Sequence, residues 1–65
     1  MNEKIAPLYK DAMLARYHLK TGQISYDKAI ARVRVFTHEA NKLASKIAKE
    51  NGVPFRKIEA AELLR

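Results

Sequence analysis

The side chains with chemistry to offer in this chain are mainly cations. Arg56 and Lys57 come directly after Pro54 and Phe55, and Lys28, Arg32, Lys42, Lys46 and Lys49 recur along an earlier stretch. An arginine fork matches phosphate oxygens or the O6 and N7 acceptors of guanine, and lysine acts as a point charge toward phosphate. If a helix begins at Pro54, its N-terminus favours anions as well. The spacing therefore predicts two surfaces for a polyanion. One is centred on Arg56 and Lys57. The other lies along Lys28, Arg32, Lys42, Lys46 and Lys49. A solvated, purely solubilising helix face is the competing expectation. Glu39 with Lys42, and Lys46 with Glu50, stand at the spacing of intrahelical ion pairs, each worth only a few tenths of a kcal/mol.

Other chemistry finds little support. There is no cysteine, so disulfides and thiolate metal sites are excluded, which suits a reducing compartment. His18 and His38 fall on different segments. His38-Glu39 opens like a zinc-protease helix, but Lys42 stands where the second histidine belongs. Ser25 and Ser45 lack a base at a telling spacing, and Glu59 and Glu62 have no evident cleft. Neither an enzyme nor a resident metal or cofactor is expected.

The elements that must position these cations are helices. Gly and Pro occur only twice each and sit at useful places. Thr21-Gly22 closes one periodic segment, Asn51-Gly52 a second, and Pro54 opens a third. The first helix is expected over about 6–20. Its stripe is Ile5, Leu8, Tyr9, Ala12, Ala15 and Leu19. Met13, Leu14 and Tyr17 form a second apolar edge. Ser25 is a suitable N-cap for the second helix, and Asp27 suits its first turn. The stripe Tyr26, Ala29, Ile30, Val33, Phe36, Ala40, Leu43, Ala44 and Ile47 then runs on without a breaker. It predicts one helix of roughly 26 residues, about 39 Å long at 1.5 Å per residue. The third segment, 54–64, places Phe55, Ile58, Ala61 and Leu64 three apart, with Phe55 and Ile58 expected in the core.

Ala48, Gly52, Val53 and Ile58 carry a local resemblance. Their spacing resembles the helix-turn-helix of small DNA-binding proteins: a small residue on the first helix, a glycine turn, and two aliphatic residues that lock the corner. The resemblance covers about a quarter of the chain, and it implies a recognition helix starting near Pro54 that presents Phe55, Arg56, Lys57, Glu59, Ala60 and Glu62 to a groove. Asn51 stands where the motif is usually apolar, and Glu59 and Glu62 would oppose phosphates. A plain link between packed helices has the same turn chemistry.

Size and charge bound the rest. The 65 residues make one domain, near the length at which a single core barely offsets chain entropy. Thirteen Lys and Arg face seven Asp and Glu, for a net charge of +6, which speeds encounter with polyanions. Apolar runs are far too short for a membrane span, and the first residues lack the apolar core of a secretory signal. A cytoplasmic address follows as the default.

The expected fold is thus all-α: an antiparallel helical hairpin with a long central helix and a short third C-terminal helix, a three-helix mini-bundle spanning 1–65. The expected function is nucleic-acid binding, DNA before RNA, as a regulator or accessory factor. The alternative is a non-enzymatic protein-interaction module, an adaptor or inhibitor, acting through Met13, Leu14, Tyr17 and Val35. The spare apolar edge and small core also favour a homodimer.

Overall fold

The computed structural model describes residues 3–65. It is all-helical over these residues, with α1 at Ile5–Lys20, α2 at Tyr26–Asn51 and α3 at Ala60–Leu63. The two long helices pack together as an antiparallel hairpin and the short third helix packs on α2.

Local chemistry sets the ends of the long helices. Pro7 lies at the third residue of α1, where a missing N–H removes no helical bond. Both long helices close in the same way. Gly22 has φ 75° and Gly52 φ 64°. Gln23 N–H donates to His18 O at 2.7 Å and Gly22 N–H to Leu19 O at 3.1 Å. Val53 N–H donates to Ala48 O at 3.0 Å and Gly52 N–H to Lys49 O at 3.4 Å. This paired closure satisfies the last carbonyls, and only a left-handed residue permits it. Between the helices, Ser25 caps α2 by accepting the Lys28 N–H at 3.3 Å.

The core is built from small residues. Ala12, Ala15, Ala29 and Val33 are fully buried, joined by Ile5, Phe36, Ala60 and Leu64. Alanines at the crossing let the helix axes approach closely, so one valine and one phenylalanine fill much of the remaining space. Tyr9 meets Phe36 edge to face, with ring centroids 5.4 Å apart. Tyr9 and Tyr26 lie at the core margin, half in water. Thr37 is buried too, and its hydroxyl donates to Arg34 O one turn back.

The two long helices differ in length by ten residues, 16 against 26. At 1.5 Å per residue, α2 is longer by about 15 Å. Lys4 pairs with Glu39 at 3.5 Å, so α1 begins about level with residue 39 of α2. The last turns of α2 extend past it. Ile47 sits on the expected core stripe but is 49% exposed, because no part of α1 reaches that far.

The C-terminal segment departs from expectation. The helix expected over 54–64 is present only at Ala60–Leu63, and residues 53–59 form an extended strap running back along α2. Two causes are visible. Val53 precedes a proline, which disfavours helical geometry there. More decisively, the Asn41 side-chain amide pairs with both backbone groups of Ile58. Asn41 Nδ2 donates to Ile58 O at 2.9 Å, and Ile58 N–H donates to Asn41 Oδ1 at 2.7 Å. Ile58 is thereby engaged as it would be in a β-ladder, leaving neither group for a helix. Phe55, expected in the core, is 41% exposed on this strap, whereas Ile58 is half-buried as a packed residue should be. Beyond it, Ala60 and Leu64 enter the core, and the Arg16 guanidinium donates to the main-chain oxygen of Arg65 at 2.7 and 3.2 Å.

Candidate nucleic-acid interface

The cations come to two adjoining surfaces. Successive residues of a helix turn by about 100°. On that wheel Lys28, Val35, Lys42, Lys46 and Lys49 share the side of α2 opposite its buried residues Ala29, Val33 and Phe36. Lys28, Val35, Lys42, Lys46 and Lys49 are all exposed there. The second surface is a groove between α2 and the strap, of about 500 Å³. Arg34, His38 and Lys42 line it from α2, with Thr37 and Asn41 deeper in. Phe55, Lys57, Ile58, Glu59 and Ala60 line it from the strap side. Lys42 belongs to both surfaces.

Arg32 is the cation of the expected set that the structure removes. It turns to the hairpin seam, where its guanidinium donates to both Asp11 carboxylate oxygens at 2.6 and 3.3 Å. That hydrogen bond pulls the Asp11 carboxyl below its usual range, against a smaller opposing effect of burial, and raises Arg32. A guanidinium held bidentate by a carboxylate has little left for phosphate.

The remaining cations stay open to water. Neither of the expected intrahelical pairs, Glu39–Lys42 or Lys46–Glu50, forms among the described residues, and Glu39 is instead engaged by Lys4. Nor do Arg56 and Lys57 enter an ion pair with Glu59, Glu62 or any other described residue. Their backbone setting differs from expectation. They lie on the extended strap rather than at the head of a recognition helix, and α3 begins at Ala60. Lys57 lines the groove; Arg56, next to it, is exposed outside its lining.

Arg34, His38 and Asn41 join the site only through the fold. The sequence holds a signal for two of them. Arg34, His38 and Lys42 stand at i, i+4 and i+8 and so share one edge of α2. Nothing local points to Asn41, whose partner is 17 residues away.

The apolar residues expected to bind a protein do not form one patch. Met13 packs against the core. Leu14 and Tyr17 are exposed on α1, at 46% and 60%. Val35 lies among lysines on the outer side of α2. His18 is half-buried beside Tyr17, with ring centroids 5.9 Å apart. No group of three or more His, Cys, Asp or Glu side chains suited to a metal exists among the described residues. No described helix is long and apolar enough to cross a membrane.

Comparison with protein-family models, with curated proteins and with solved structures gives no match.

Proposed function

We propose that this chain is a small cytoplasmic nucleic-acid-binding protein, not an enzyme, that grips the phosphate backbone along the outer side of α2. One observation carries this: Lys28, Lys42, Lys46 and Lys49 reach water along a single rigid helix while the acids best placed to neutralise them are engaged elsewhere or unpaired. Lys28 and Lys49 are 21 residues apart, about 31 Å along the axis. Backbone phosphates along a groove wall offer charge over such a length. With no helix at Pro54, Arg56 and Lys57 add charge from the strap instead of reading base edges from a recognition helix.

The test is fluorescence anisotropy with labelled DNA and RNA at about 50 and about 200 mM salt. Affinity is expected to fall steeply with salt for wild type. The variant Lys46→Ala/Lys49→Ala should lower the slope of log K against log salt by about 0.7–0.9 for each phosphate that is no longer neutralised. Absence of binding to both nucleic acids at the lower salt refutes the proposal.

A second reading, a protein-interaction module or homodimer, is favoured by the exposure of Leu14 and Tyr17 on α1. Its signature is association that hardly responds to salt and is abolished by Leu14→Asp, measured by sedimentation velocity across a concentration series. A monomer at every concentration, with wild type and variant alike, removes the homodimer.

A further inference from the structure

We infer that the groove between α2 and the strap holds one unpaired nucleotide, so that the protein prefers single-stranded nucleic acid to duplex. This rests on the nucleic-acid reading above and narrows it. Three features of the groove point the same way. Its volume, about 500 Å³, falls within the roughly 300–1,000 Å³ typical of sites for small ligands. Its rim carries Arg34, Lys42 and Lys57 against one acid, Glu59, and His38 adds a ring nitrogen able to donate. Its strap side presents the Phe55 ring, which burial in the core does not account for.

Cations around a concave site with an apolar base and an open aromatic ring match the two halves of a nucleotide. The phosphate meets Arg34, Lys42 and Lys57. The base stacks on Phe55, an interaction open to any base because each has a π-face. In a duplex those faces are already covered by neighbouring bases, so only an unpaired nucleotide supplies one. Glu59 has only acceptor oxygens when ionised, so it opposes phosphate and pairs instead with an exocyclic base amine. The strap that carries the ring is itself anchored to α2, because the Asn41 amide holds the Ile58 backbone three residues beyond Phe55.

The experiment is an anisotropy titration of a short labelled single-stranded DNA of mixed sequence, and of the same sequence as duplex, against wild type, Phe55→Ala, Phe55→Trp and Lys46→Ala/Lys49→Ala. Circular dichroism establishes that each variant is folded, and the half-exposed position of Phe55 favours folding of its variants. Wild type should bind the single strand more tightly than the duplex. Phe55→Ala should weaken single-strand binding by about 5- to 150-fold, leave duplex binding and the salt slope unchanged, and be rescued by Phe55→Trp. The lysine variant should weaken both ligands and lower the slope. Equal affinity for the two ligands, with Phe55→Ala silent and the lysine variant still effective, overturns the groove inference while leaving backbone binding in place. No binding of either ligand by wild type overturns both.

Discussion

Removing the Asn41 amide should loosen the C-terminal third of the molecule. The side chain makes two hydrogen bonds to one residue, at 2.7 and 2.9 Å, in a half-buried setting. A typical net contribution is about 0.5–1.5 kcal/mol for each bond, so Asn41→Ala is expected to cost about 1–3 kcal/mol. The upper half of that range applies if Ile58 keeps its place, because its N–H and C=O then stay partly buried without partners. In a domain of this size each kcal/mol moves the thermal midpoint by roughly 4–8 °C, so a loss near the middle of the range lowers it by about 8–16 °C. Circular dichroism during heating measures this. Amide hydrogen exchange at Ile58 supplies the local readout, and its protection should fall more than that of Val33 in the core. A midpoint displaced by less than about 2 °C, together with unchanged protection at Ile58, refutes the clamp. The strap would then be held by Ala60, Leu64 and the Arg16 hydrogen bonds to Arg65 alone. Since α3 has four residues, it has no stability of its own to contribute.

Three further outcomes are expected. Gly52→Ala forces a side chain into φ 64° with no neighbour within 4 Å of the new Cβ, so the whole cost is backbone strain, about 1–2 kcal/mol by urea denaturation. Val33→Ala removes two methyl groups from the one large side chain that is fully buried and should cost about 2–3 kcal/mol by the same method, transfer and cavity together. The Asp11 carboxyl is held below its ordinary value by the Arg32 hydrogen bond, so its stabilising contribution is complete above the unfolded carboxylate range. It is lost as pH falls through the lowered folded value. The effect is small because both partners are well solvated. Unfolding midpoints measured from pH 7 downward should therefore decline less below about pH 4 in Asp11→Asn than in wild type. A decline of equal depth in both rules out the assignment.

Particular residues show where the sequence is legible and where it is not. The caps at Ser25, Gly22 and Gly52 are readable because each acts on partners within five residues along the chain. The apolar period of α2 is readable for the same reason, since a helix repeats every 3.6 residues wherever it stands. Ile47 departs from its stripe because its burial depends on the length of a different helix. Residues 53–59 depart from the expected helix because Pro54 suits either a helix start or an extended turn. Asn41, far away in sequence, decides between them.

By itself the chain's order of residues settled which segments coil, where the two long helices stop, and that cations outnumber acids along α2. Those properties arise from short-range sterics, backbone bonding and composition. Only the folded molecule decided which cations remain available. Arg32 is claimed by Asp11, 21 positions away, and Glu39 by Lys4. The groove likewise exists only because Asn41 holds the strap beside α2. Ion pairing and side-chain clamps of this kind depend on which surfaces packing brings within about 3 Å, a distance that spacing along the chain does not specify.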